Sequence, residues 1–161
     1  MRDSNKPKGA EKIKSGFLHS VSRLRLLTTN SASHRIRRVR RLLIYGECLK
    51  EEHPEIVEEL SKGRVALSSC PEAEHINLIA LKVASIIARV KLEEIVVLTT
   101  DGSPHCLQLH HAVEEACKIA GFSPRHMVVE GGRVVEVSRE AVKTARYLSK
   151  VDRLLRRSAS P

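Results

Sequence analysis

Between Arg41 and Arg157, short apolar runs alternate with longer amphipathic stretches, and Gly, Pro or Ser marks most changes of period. Leu42-Leu43-Ile44-Tyr45 predicts a first strand, stopped by Gly46, and His53-Pro54 opens a helix to about Ser61, ahead of Lys62-Gly63. Val65–Ser69 is the second strand. Cys70-Pro71 then begins a long helix to about Val90, with proline at the first helical position, where its missing N–H costs nothing. Ile95–Thr100 is the third strand, and Ser103-Pro104 caps a helix that Gly121 terminates. His126–Glu130 and Arg133–Val137 flank Gly131-Gly132, the signature of a type I′ hairpin, and Ser138 caps a last helix from Arg139 to about Arg157.

Strands alternating with helices predict a parallel sheet with right-handed crossovers, here three parallel strands followed by an antiparallel hairpin at one edge. The expected fold is α/β: a Rossmann-like or flavodoxin-like three-layer sandwich forming a single domain over residues 41–158. The 71–90 helix is nearly apolar all round, with a narrow polar stripe of His75, Lys82, Ser85 and Arg89. Such a helix is either deeply buried or shared with a second subunit. A homodimer through this helix is one expectation; a central helix covered by the last helix and the hairpin is the other.

Charge divides the chain differently. Residues 1–42 carry twelve Lys or Arg against Asp3 and Glu11, whereas the remainder carries sixteen against seventeen acidic residues. The net charge of +9 therefore belongs to a basic tail, 1–40, and not to the domain. Low hydrophobicity and high charge predict a disordered extension. A transit peptide, a nucleic-acid arm and a misplaced start codon are the other readings, the arm weakened by the absence of interleaved aromatics. After Leu42 there is one Asn (Asn77), one Gln (Gln108) and no Trp, a composition resembling that of heat-adapted organisms. No apolar run has transmembrane length and no secretory leader is legible, so a cytoplasmic protein with no membrane contact is expected. Four cysteines in that setting suggest reduced thiols or metal ligands rather than a disulfide framework.

Those cysteines carry the candidate chemistry. Cys48, Cys70 and Cys106 each follow a strand, so a parallel sheet would bring three thiols to the edge where open α/β sheets bind ligands. The loop Asp101-Gly102-Ser103-Pro104-His105-Cys106 is dense in reactive groups and leads into a helix start, where free N–H groups favour anions or thiolates. Asp101, Gly102 and Ser103 are the candidate anion-binding residues, and His105 is a candidate fourth metal ligand. No pair among His105, His110 and His111 has the spacing of a hydrolytic zinc site, and His110 reads as a solvated or hydrogen-bonded helix histidine. Cys117 lies eleven residues beyond Cys106, about 16 Å along a helix, and reads as core.

The order of strand–Cys48, strand–Cys70 and strand–loop–Cys106 resembles the iron–sulfur delta subunit of methyl-viologen-reducing hydrogenases. The stretch Asp101–His110 is similar to small archaeal ferredoxin-like proteins. The resemblance implies an iron–sulfur cluster and a redox partner protein, although the paired cysteines of the delta subunit are missing here. The expected function is thus a cysteine-based redox or metal-binding module, with iron–sulfur-linked electron transfer as its sharpest form. A thiol enzyme or sulfur carrier using Cys70 or Cys106, and a dimeric binder of anions or small ligands, are the alternatives.

Overall fold

The computed structural model describes residues 24–158. Its strands are β1 (Arg41–Gly46), β2 (Val65–Ser69), β3 (Glu94–Thr100), β4 (Arg125–Glu130) and β5 (Arg133–Val137), and its helices are α1 (His34–Val39), α2 (Leu49–Glu52), α3 (Pro54–Ser61), α4 (Ile76–Arg89), α5 (Pro104–Ile119), α6 (Arg139–Ala145) and α7 (Leu148–Ser158). One sheet runs in the order β2-β1-β3-β4-β5. The first four strands are mutually parallel, and β5 returns antiparallel from β4. The expected mostly parallel α/β sheet with a hairpin at its edge is therefore present. Gly131 and Gly132 both have positive φ, as a type I′ turn requires. This is the flavodoxin-like order, and its switch point lies at the C-terminal ends of β1 and β3, where the crossovers diverge to opposite faces.

Each central strand is buried on both sides, which explains why its sequence is a run rather than an alternation. Leu42 and Ile44 face α4 and α5, joining Ile95, Val97, Ile79, Val83, Leu109 and Val113 in the larger core. Leu43, Tyr45, Val96 and Leu98 face the other way, where Leu49 of α2 and Val57 of α3 cover them. The helix expected to stop at Gly121 does so. Gly121 N–H bonds to Lys118 O at 3.1 Å and Phe122 N–H to Cys117 O at 2.9 Å, with Gly121 in the left-handed region. Together these bonds satisfy carbonyls that the helix end would leave open. Among the described residues, no helix is long and apolar enough to cross a membrane.

Three boundaries differ from expectation. The domain begins before residue 41: Leu24 and Leu26 straddle Ser68 through backbone bonds of 2.9 and 2.8 Å, and Leu26 and Ile36 are fully buried in the larger core. Leu24, Leu27 and Val39 pack against the same core, so the ordered structure reaches back to Leu24 and the basic tail does not extend to 40; residues 1–23 lie outside the described ones. The helix assigned from Pro71 starts at Ile76, because Glu74 turns its carboxylate back onto Cys70 N–H (3.1 Å) and Ser69 Oγ (2.8 Å) and holds the preceding segment as a turn. The last helix is broken at Arg146-Tyr147, where Tyr147 N–H bonds to Thr144 O at 2.9 Å. The all-round apolarity of α4 also resolves: Ile79, Val83 and Ile86 are buried within the chain, while Leu78 and Leu81 face outward.

Candidate functional site

One cluster of reactive side chains occupies the C-terminal end of the sheet, and a second runs from Thr99 toward the start of β4. The first is built around Gly46, the last residue of β1. A Cβ placed on Gly46 would lie 3.8 Å from Cys48 Sγ, 3.9 Å from Cys106 Sγ and 3.8 Å from the Cα of Thr99 on the neighbouring strand. Two of the three predicted thiols therefore border the same space, which glycine leaves empty. Cys48 is exposed at the start of the four-residue α2, and Cys106 is buried in the first turn of α5, its N–H bonded to the capping Ser103 Oγ at 3.3 Å. Burial pushes the Cys48 thiol up, and Cys106, Glu52 and Cys70 add to the shift as neighbouring negative charges. Cys70 thus lies within electrostatic reach of Cys48. Partly exposed, it sits in the turn held by Glu74, whose carboxylate pairs with Arg25 at 3.1 Å, and not at a helix N-cap as its sequence suggested.

The exposed His105 ring lies 3.8 Å from the Glu72 carboxylate. Among the described residues, no three His, Cys, Asp or Glu side chains are arranged to hold a metal ion. The thiols gather, but not as a finished ligand shell. Cys117 is in the core as expected, its thiol pushed up to about 12 by burial.

The second cluster begins on the same face of the sheet, one strand over. Thr99 Oγ1 lies 2.9 Å from His110 Nε2, His110 Nδ1 lies 2.9 Å from His126 Nδ1, and His126 Nε2 lies 3.2 Å from Glu114 Oε2. Arg139 closes the chain with a 2.6 Å bond to Glu114 Oε1 and reaches Ser123 Oγ at 2.8 Å. Thr99, His110, His126 and Glu114 are all buried. Burial alone would push the Glu114 carboxyl up, but its bonds from Arg139 and His126 outweigh that and hold it below its ordinary value. Burial and the facing His126 bring His110 down to about 3, and burial lowers His126 as well. Both rings are therefore neutral near pH 7.

Neutral rings beside an ionised carboxylate admit one consistent set of protons. His126 donates from Nε2 to Glu114, leaving its Nδ1 to accept from His110 Nδ1–H, and His110 Nε2 then accepts from the Thr99 hydroxyl. All three bonds point toward Glu114. Above this chain lies a cavity of about 350 Å³, lined by Thr99, His110, Pro104, Leu107 and Val128 together with Thr100 and the predicted loop Asp101-Gly102-Ser103. Gly102 has a φ of +80°, a conformation that glycine adopts without strain.

Sequence reasoning missed most of this second cluster. The signal that was available is His110 and Glu114 four residues apart, one turn of the same helix. His126 on β4 and Arg139 on α6 join them only through the tertiary fold, and no local pattern announces such a meeting.

The fold agrees with what comparison shows. A family described as Rossmann-like domain matches residues 35–160. The chain belongs to that family. No curated protein and no solved structure matches it. The Rossmann-like domain match begins at Arg35, inside α1, which accords with a domain that starts before β1.

Proposed function

We propose that this Rossmann-like domain is a cysteine-based metal or redox module, with Cys48, Cys70 and Cys106 binding a thiophilic centre at the switch point and an iron–sulfur cluster as its sharpest form. The supporting observation is that the Cys48 and Cys106 sulfurs border one space beside Gly46. The neighbouring sulfurs of Cys106 and Cys70 add to the rise of the Cys48 thiol by charge repulsion, and a soft cation among the three reverses that repulsion. Cys48 is the ligand expected to move, since it is exposed on a single helical turn, whereas Cys106 is fixed by α5. With three thiols in the chain's set, the fourth position falls to a non-cysteine ligand or to a second copy. A dimer through the outward Leu78 and Leu81 of α4 is the arrangement we favour for a shared centre.

The thiol-enzyme reading rests on the placement of Cys106 in the first turn of the sixteen-residue α5, where N–H groups favour a thiolate. Its burial makes it the weaker choice. The two readings separate in the full-length protein purified without oxygen. A coloured protein containing iron and acid-labile sulfide supports the metal reading, while a colourless protein with one fast-alkylating cysteine supports the enzyme.

A further inference from the structure

We propose that the cavity over Thr99 is a binding site, separate from the thiols, for a small and mostly apolar molecule that presents a hydroxyl group. A hydrogen-bonded chain lies beneath it. Glu114, held ionised by Arg139, can only accept from His126, and this fixes the direction of every bond up to Thr99. Threonine has one hydroxyl proton. Its contacts are His110 Nε2 at 2.9 Å and its neighbour's carbonyl, Thr100 O, at 3.2 Å. The polarity of the chain commits the proton to His110, so Thr99 offers the cavity lone pairs alone.

A ligand group at that floor must therefore donate. Pro104, Leu107 and Val128 supply apolar walls, and the cavity of about 350 Å³ leaves room for a molecule the size of a substituted ring. A ligand presenting only acceptors would face the Thr99 lone pairs without a partner and would lose that hydrogen bond. Thr99 is the contact residue. His110, His126 and Glu114 are positioning residues, acting through the orientation of its hydroxyl.

The probes are phenol and anisole, which share the ring and differ in whether the oxygen carries a proton or a methyl group, with the Thr99 variants as the control for that methyl. Nitrogen-15 NMR of the full-length protein should show His110 protonated on Nδ1 and His126 on Nε2. Titration should show phenol binding about tenfold more tightly than anisole, the worth of one satisfied hydrogen bond. Thr99→Val should abolish that preference and Thr99→Ser should retain it. In Glu114→Gln, the carboxamide nitrogen donates toward His126, so both tautomers should reverse and the preference should disappear. Where a variant fails to fold, the wild-type tautomers and the phenol–anisole ratio decide alone. A wild-type His110 protonated on Nε2, or equal binding of the two probes, would overturn the proposal.

Discussion

The thiol cluster and the histidine network are built on opposite principles. Around Gly46 the thiols share a space without a fixed geometry: Cys48 is exposed on one helical turn, Cys70 sits in a turn, and only Cys106 is anchored in a long helix. Around Glu114 each side chain from Thr99 to Arg139 has a bonded neighbour, and everything but the arginine is buried. A buried polar network is tolerable only when it is complete, so the histidine side is rigid by necessity. The thiol side can afford to be loose, because in the proposed function a metal supplies the missing order.

The largest expected effect concerns what supports the thiol side. Deleting residues 1–38 removes Leu26 and Ile36 from the core, together with the backbone that pairs with Ser68 two residues before Cys70. At roughly 1.5–3 kcal/mol for each buried side chain, the loss should exceed about 3 kcal/mol and lower the melting temperature by many degrees. An unchanged melting temperature would mean that this segment does not pack.

Next comes the completeness of the histidine side. Arg139→Met leaves the fully buried Glu114 carboxylate without its cation and should cost about 3 kcal/mol in denaturant unfolding. A loss under about 1 kcal/mol would show that the network is not under the constraint described.

Acid should separate the two sides. His110 titrates near 3 when folded and about 6.5 when unfolded, so between those values the unfolded chain binds a proton that the folded chain does not. Stability should therefore fall as pH drops below about 6.5, by about 1.4 kcal/mol per pH unit for this one histidine. His126, lowered in the same direction, steepens the loss. Unfolding midpoints measured from pH 7 to 4 check this, and a decline beginning only near pH 4 would assign the acid sensitivity to surface carboxylates instead.

The smallest effect on stability carries the most information about the thiols. In Gly46→Ala the new methyl would sit 3.8–3.9 Å from its neighbours, ordinary contact, with no positive φ to strain. Folding should change by less than about 1 kcal/mol. Because the methyl occupies the space between the sulfurs, metal retention should nevertheless drop at least tenfold. Equal metal content in this variant and the parent would remove Gly46 from the account.

How much of this was legible follows from the range of each interaction. The strands and the α5 terminus were readable because Gly46, Pro104, Gly121 and Gly131-Gly132 act locally on the backbone. The gathering of Cys48 and Cys106 followed from topology once the strands were taken as parallel. The order of residues 24–40 is not legible because composition weighs the charged and hydroxyl residues there, whereas Leu26 and Ile36 count through their burial in the core. The start of α4 was misplaced because Pro71 favours a helix start, while the side chain of Glu74 selects a turn. The network from Thr99 to Arg139 draws on β3, α5, β4 and α6, and sequence offered only the His110–Glu114 spacing.

In the proposed function Cys48, Cys70 and Cys106 share one centre. Its most direct measurement is the metal content of the full-length protein purified without oxygen, compared across Cys48→Ser, Cys70→Ser, Cys106→Ser and Cys117→Ala. The parent should contain metal, each of the first three variants should lose the centre, and the last should retain it, since Cys117 is buried in the core. A parent without metal, or a centre that survives all three serine substitutions, would contradict it.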